Sequence, residues 1–235
     1  MHDSEKYYTE KLYPLQNGVL SLVKKSKTPF FLTGGTALSR YYFHHRYSDD
    51  LDLFVANDPE YPTHVKTLLK SLTQEDEELN CYIDLKDIII GETYTQVMVT
   101  DKTDSSTVLQ LDLVNDVAAH YGELNNDPDL GQVDSWQNIL SNKLTALFRS
   151  EPKDVADIWV IAKNKCFQWE QVVQEAKSKE AGIEPETIYD ILRSFPVEQM
   201  NPVKWIQKPS GNEFMNDLRN IFDDILFARE NSLCS

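Results

Sequence analysis

Short apolar runs bounded by charge or glycine alternate with helical periodicities over the first part of the chain, and the pattern turns wholly helical from Trp136 onward. An apolar stripe from roughly Glu10 to Lys25 predicts an N-terminal helix. Pro29-Phe30-Phe31-Leu32, ended by Gly34-Gly35, predicts a buried strand, and the segment from Thr36 through Tyr41 and Tyr42 to about His45 predicts a helix with Thr36 as its cap. Leu51-Asp52-Leu53-Phe54-Val55 reads as a second strand, His64 to Leu72 as a helix, and Cys81 to Ile90 with Thr93 to Thr100 as strands about Gly91, in the manner of a hairpin. Thr107 to Val114 is a further strand that closes the sheet. Gly122 to Asp134, rich in Asn, Asp, Pro and Gly, reads as a loop. Among the later helices, Pro152, Pro185, Pro196, Pro202 and Pro209 stand at first-turn or interhelical positions. The fold class expected is α+β: a small mixed β-sheet with flanking helices, followed by a C-terminal helical bundle.

Three carboxylates interrupt the apolar strands. Side chains two apart on a strand share a face, so Asp50 and Asp52 point one way and Leu51 and Leu53 the other. Asp112 is the one charge in its strand, set between Leu111 and Leu113. A carboxylate on such a strand costs free energy unless it is paired, solvated or bound to a metal. Two on one face repel unless a cation lies between them. Mg²⁺, or Mn²⁺, answers that need with oxygen coordination, and it also bridges phosphates. Gly34 and Gly35 let backbone N–H groups approach a ligand closely, and the helix start that follows suits a phosphate, with Thr36 as a cap or a phosphate contact. Together these residues suit a nucleoside triphosphate and its metals.

Downstream, Leu140, Lys143, Leu144 and Leu147 share a helical face, with Lys143 at the edge of the stripe. Lys143 either snorkels from the core or reaches a triphosphate. Arg149, Lys153, Asp154 and Asp157 fall within two turns and read either as a salt-bridge-laced helix or as part of the site. Ser48 is a turn hydroxyl or a phosphate contact, Arg46 a loop brace or a phosphate contact, and Asp49 a solvated charge. His44 and His45 are adjacent, poor spacing for a metal on a helix. Trp136, Trp159, Trp169 and Trp205 fit helix packing; Tyr41 or Tyr42 lining a base pocket is the weaker alternative.

Composition narrows the function classes. The chain of 235 residues carries a formal charge of −15. Binding to polyphosphate backbones draws on Lys and Arg, so an RNA acceptor would dock on a local basic patch, to which Lys143, Arg149, Lys153, Lys163 and Lys165 are candidates. A small molecule, a protein or a basic partner suits the acidity more readily. Acidic residues gather between about Asp58 and Asp134, including Glu75-Asp76-Glu77-Glu78. Cys81, Cys166 and Cys234 are far apart and lack metal spacing, so neither a zinc site nor a disulfide framework is expected. No apolar run is long enough for a membrane span and no signal pattern opens the chain, which points to the cytoplasm.

Taken in order, Gly34-Gly35-Thr36-Ala37-Leu38, Arg46 and Ser48 before Asp50-Leu51-Asp52-Leu53-Phe54, the helix Asn142-Lys143-Leu144-Thr145-Ala146-Leu147-Phe148-Arg149, and Lys153-Asp154-Val155-Ala156-Asp157 resemble the AbiEii/AbiGii (MenA-like) nucleotidyltransferases of the DNA polymerase beta-like superfamily. The resemblance covers about residues 15 to 165. It implies a metal-dependent enzyme that moves a nucleoside monophosphate from a triphosphate to an acceptor, with the tRNA 3′ end as one candidate, and a role as toxin of a type IV toxin–antitoxin or abortive-infection system with an antitoxin partner. A small-molecule or protein-modifying transferase and a catalytically silent binding module are the other readings. In the implied site Asp50, Asp52 and Asp112 hold metal, Gly34, Gly35, Thr36 and Ser48 bind nucleotide, and Lys143 neutralises charge. Asp157, favoured over Asp154, orients the lysine or supports proton transfer. The interval from Gly35 to Asp50 is long for the superfamily, so an extra helical turn is expected there. The catalytic core is expected over residues 1–135 and a helical domain completing the active-site cleft over 136–235.

Overall fold

The structure, a computed structural model, describes residues 2–73 and 81–234. The acidic run Glu75-Asp76-Glu77-Glu78 lies outside the described residues. The chain forms two compact units, one made of Met1–Ala37, Ser48–Val117 and Glu123–Asp134, the other of Leu38–Tyr47, Ala118–Gly122 and Ser135–Ser235.

The first unit opens on α1 (His2–Tyr7), which runs through a π-helical turn at Tyr8–Leu12 into α2 (Tyr13–Ser26). The strands are β1 (Phe31–Thr33), β2 (Leu51–Ala56), β3 (Cys81–Ile83), β4 (Ile89–Ile90), β5 (Tyr94–Asp101), β6 (Val108–Asp116), β7 (Asn125–Asp127) and β8 (Gly131–Val133). They form one mixed sheet in the order β3-β5-β6-β2-β1-β8-β7, with β4 also pairing β5. β2 and β6 run parallel, as do β1 and β8, whereas β5–β6 and β1–β2 are antiparallel. Along β2, β5 and β6 burial alternates residue by residue. Leu51, Leu53, Val55, Val97, Val99, Leu109, Leu111 and Leu113 are buried on one face, as the period-two pattern requires. Tyr61, at the start of α4 (Tyr61–Thr73), donates its hydroxyl to the carbonyl of Leu113 at 2.8 Å and so ties that helix to the apolar face. Helices α2 and α4 also contact each other.

Several expected elements change. The strand expected from Cys81 to Ile90 breaks into β3 and β4, because Asp84 takes the amide of Lys86 in a turn between them. The Asp112 strand does not close the sheet; it lies inside it, between β5 and β2. The expected loop from Gly122 to Asp134 contains the hairpin β7–β8. Asp127 accepts the amides of Asp129 and Leu130 at 2.9 and 2.8 Å, Gly131 takes φ +82°, and β8 then finds β1 as a parallel neighbour. Pairing with β1 overrides the poor strand propensity of Asn, Asp and Gly.

The second unit is helical: α5 (Trp136–Ala146), α6 (Pro152–Asn164), α7 (Trp169–Lys179), α8 (Pro185–Arg193) and α9 (Gly211–Leu226), with 3₁₀ turns at Leu147–Arg149 and Val197–Met200. Pro152 and Pro185 open their helices, where a missing N–H costs no hydrogen bond. Its core joins Trp159, Trp205 and Phe214, and Trp169 is fully buried. One expectation about the cysteines fails: Cys166 and Cys234 form a disulfide, with Cα atoms 5.2 Å apart, leaving Cys81 as the free thiol. The pairing joins positions 68 residues apart, which spacing along the chain could not show. No helix among the described residues is long and apolar enough to cross a membrane.

Candidate active site

Asp52 and Asp112 are Cα partners in the parallel pair β2–β6. The row extends on both sides, to Gln96 on β5 and to Thr33 on β1. Asp52 and Asp112 lie on the half-exposed face of the sheet, opposite the buried leucines that flank them. Asp50 immediately precedes β2, two residues before Asp52, and is half-exposed as well.

The turn after β1 is shaped around this row. Gly34 has φ +64°, and a Cβ built on it would collide with Oδ2 of Asp52. Both facts demand glycine: the left-handed backbone disfavours a side chain, and the carboxylate fills the space that a side chain would need. The helical turn α3 begins at Gly34 and ends at Ala37, then continues as a π-helical turn over Leu38–Tyr42. Thr36 therefore sits inside the first turn and is not its cap; its hydroxyl donates to the backbone carbonyl of Asp50. The helix ends at Tyr42, short of His45, and the long interval to Asp50 is taken up by the π turn and a non-helical segment. Gly35 and Thr36 are buried in this turn. Ser48 is buried too, and its carbonyl accepts from Nε2 of Gln16 at 3.1 Å. Asp49 is not a solvated charge: its Oδ1 accepts the Tyr8 hydroxyl at 2.6 Å, and burial together with that carboxylate raises the phenol's pKa strongly.

Asp112 carries a dense set of donors. Tyr94 Oη (2.9 Å) and Gln96 Nε2 (3.1 Å) reach Oδ1, and Gln110 Nε2 reaches Oδ2 at 2.9 Å. Partial burial and the neighbouring Asp112 push the Tyr94 phenol up to about 12, so it stays protonated and donating near neutrality. These three residues escaped the sequence reading. The available signal was that Gln96 and Gln110 occupy the same alternate positions as Asp112 on otherwise apolar strands. Among the described residues no three His, Cys, Asp or Glu side chains converge as a metal cage. The donor set nevertheless suits Mg²⁺, being all carboxylate oxygen, and the space at Gly34 is kept open for one of those carboxylates.

The second unit holds the other sequence candidates. Lys143 on α5 is buried, and its Nζ lies 2.6 Å from Oδ1 of Asp154 and 2.8 Å from Oδ2 of Asp157, both on α6. Arg149 reaches the other oxygen of Asp154 at 3.2 Å. Asp157 also receives Arg46 Nε and Nη2 at 2.7 and 2.8 Å and the ring of His45 at 2.8 Å. Arg46 thus braces its segment, which is further held by the bonds Tyr47 N to Lys204 O and Ile206 N to His45 O. Burial alone would push the Asp157 carboxyl up, but Arg46 and Lys143 hold it well below the usual carboxylate range. Burial would likewise lower the Lys143 ammonium, yet Asp157 and Asp154 keep it above an ordinary lysine. For His45 burial wins and its pKa falls, which leaves a neutral ring whose Nδ1 finds no hydrogen-bond partner. The partnership of His45 and Arg46 with Asp157 was invisible in the sequence, since it closes across 111 residues of chain or more.

The family described as "Nucleotidyl transferase AbiEii toxin, Type IV TA system" matches residues 22–227. No match was found among curated proteins. Among solved structures, MenT4, nucleotidyltransferase toxin Rv2826c from Mycobacterium tuberculosis H37Rv, is similar with a TM-score of 0.61 and 14% identity, over 91% of this chain and 84% of that one. JHP933 from Helicobacter pylori is similar with a TM-score of 0.56 and 19% identity, over 89% and 90% of the two chains. At such identities the likeness is one of fold. The family match spans most of the sequence, and the chain therefore belongs to the AbiEii nucleotidyltransferase toxin family of type IV toxin–antitoxin systems.

Proposed function

We propose that this nucleotidyltransferase is metal-dependent and moves a nucleoside monophosphate from a nucleoside triphosphate to an RNA acceptor, the tRNA 3′ end being the first candidate, as a toxin whose action an antitoxin opposes. The observation that carries the chemistry is the register of Asp52 with Asp112 beside a turn that only glycine permits. In this reading Asp50, Asp52 and Asp112 would hold Mg²⁺ through their carboxylate oxygens. Bound there, the ions would neutralise the triphosphate and stabilise the attacking and leaving oxygens of an in-line displacement. Asp112 accepts the acceptor hydroxyl's proton, the hydroxyl oxygen attacks the α-phosphorus, and the bond to pyrophosphate breaks. Backbone amides of Gly34 and Gly35 and the hydroxyl of Ser48 position phosphate oxygens, while Thr36 braces the Asp50 backbone. Within the second unit, Asp154 and Asp157 fix the position of the Lys143 ammonium.

Purified protein, Mg²⁺ and each triphosphate radiolabelled at the α-phosphate, with and without total tRNA, test this reading. Label entering RNA with wild-type protein and not with Asp52→Asn is the expected result. Label on a small molecule or on polypeptide, with none on RNA, overturns the acceptor assignment. Transfer that persists in the presence of EDTA overturns metal dependence.

A further inference from the structure

Lys165 places its ammonium among three aromatic rings: Nζ is 5.9 Å from the centroids of Tyr42, Phe43 and Trp136 alike. Each distance lies within cation–π range. Among the described residues no carboxylate forms an ion pair with Lys165, although the chain carries 38 acidic residues. The rings are half-exposed rather than sealed in the core. They also extend in two directions, to Tyr41 at 4.7 Å from Tyr42, and to Phe167 at 5.7 Å from Trp136. The segment Leu38–Tyr47 that carries two of them contains Arg40, His44, His45 and Arg46 and no acidic residue. His44, exposed, takes φ +51°, a left-handed conformation uncommon outside glycine.

A chain of net charge −15 offers a phosphate backbone little general attraction, so an RNA contact draws on a local site and on something besides charge. Stacking on aromatic faces with a cation beside them is the recurring solution for unpaired nucleotides. We propose that Tyr42, Phe43, Trp136 and Lys165 form a stacking platform for an unpaired RNA end, with bases on the rings and Lys165 against a phosphate. The proposal rests on RNA being the acceptor and goes further, in naming the residues that grip it.

The test uses the full chain, with Phe43→Leu, Tyr42→Leu and Lys165→Ala as variants. The leucines keep apolar packing and remove the ring, together with the hydroxyl at Tyr42. Lys177→Ala, which touches Glu184 instead, is the control. Fluorescence anisotropy with a short labelled single-stranded RNA, and no triphosphate, reads binding directly. Expected is a weakening of roughly five- to hundredfold for each lost ring. Lys165→Ala should also flatten the slope of log affinity against log salt by about 0.7. Thermal melting of the three variants should match wild type. Wild-type affinity in the ring variants, or equal affinity of wild type for double-stranded RNA, overturns the platform. If wild type labels tRNA and the variants keep its acceptor KM, the platform fails while the transferase reading stands. If wild type labels no RNA yet its RNA binding depends on the rings, the acceptor reading fails and the platform stands.

Discussion

Arg46 grips Asp157 with two parallel bonds, Nε to Oδ1 at 2.7 Å and Nη2 to Oδ2 at 2.8 Å, and the carboxylate is fully buried. Lys143 and His45 occupy its remaining acceptor positions. Removing the shared anion strands two cations out of water. Asp157→Ala should therefore cost about 3–5 kcal/mol, the usual penalty for breaking a buried ion pair from one side. Urea denaturation followed by circular dichroism measures it, and a loss near zero would mean that the network is not formed in solution.

The same cluster sets a pH dependence. His45 has its pKa lowered by burial, so the unfolded chain binds a proton that the folded one refuses. Stability contributed by the neutral ring is present above the ordinary histidine value near 6.5 and is lost as pH falls below it. Asp157 adds a second and lower window: its depressed pKa gives stability that is present above the ordinary carboxylate range and lost as pH falls toward the folded value. Between about pH 6.5 and 5, urea midpoints of wild type should fall more steeply than those of His45→Gln. Parallel curves would remove His45 from the account.

Gly34→Ala forces a Cβ onto the Asp52 carboxylate at a backbone angle that disfavours any side chain. Folding should suffer by only about 1–2 kcal/mol, because the collision can be relieved by turning Asp52 aside. Transfer activity should drop by about a hundredfold or more, since small displacements of positioned groups cost that much. Initial rates beside melting curves separate the two effects, and an active Gly34→Ala protein would detach Asp52 from the chemistry.

Tyr94, Gln96 and Gln110 compete with any cation for Asp112. Tyr94→Phe deletes one donor to a charged group, a contribution of roughly 1.5 kcal/mol. The Mg²⁺ concentration for half-maximal transfer should fall by about tenfold if all of that appears in metal affinity. Asp112→Asn should abolish transfer at every Mg²⁺ concentration. A Tyr94→Phe protein with an unchanged Mg²⁺ requirement would show that Asp112 is not a ligand.

Cys166 and Cys234 close a loop of 68 residues. By loop-closure entropy the bridge stabilises the fold by at most about 4 kcal/mol. The realised value should be smaller, because the C-terminal segment is also held by Asn231, which donates to the carbonyls of Ala162 and Lys165 at 2.6 and 2.7 Å. Thiol titration under denaturing, non-reducing conditions should find one cysteine, and Cys234→Ser should lower the unfolding free energy obtained from urea denaturation by about 2–4 kcal/mol. Three titrating thiols in fresh protein would show the pair to be reduced.

Along the chain, what was legible was periodic or stereochemically local. A period of two put Asp52 and Asp112 on one kind of face and their leucine neighbours on the other, whatever the strands went on to pair with. A period near 3.6 put Lys143 against the core, Pro152 and Pro185 marked helix starts, and the glycine pair marked the turn that follows β1. What stayed hidden was the pairing and register of remote segments, beyond the grouping of Asp112 with Asp50 and Asp52 and of Asp157 with Lys143 that the resemblance implied. Strand propensity did not reveal β7 and β8, whose pairing with β1 supplies what their residues lack. Nor did it reveal that β2 and β6 would lie parallel with Asp52 opposite Asp112, that Thr36 would bond Asp50 rather than cap a helix, that Asp49 would meet Tyr8, or that Cys166 would meet Cys234. The charges of Lys143, Asp154 and Asp157 could be read from the sequence, but the protonation of His45 and the depth of the Asp157 shift could not, since both follow from burial and from Arg46 arriving from far along the chain. The sequence by itself determined which way each side chain would face within its own element, because that is set by the backbone dihedrals of a few neighbouring residues. Only the tertiary structure decided which faces meet, because that depends on the apolar area and charge that distant segments bury together.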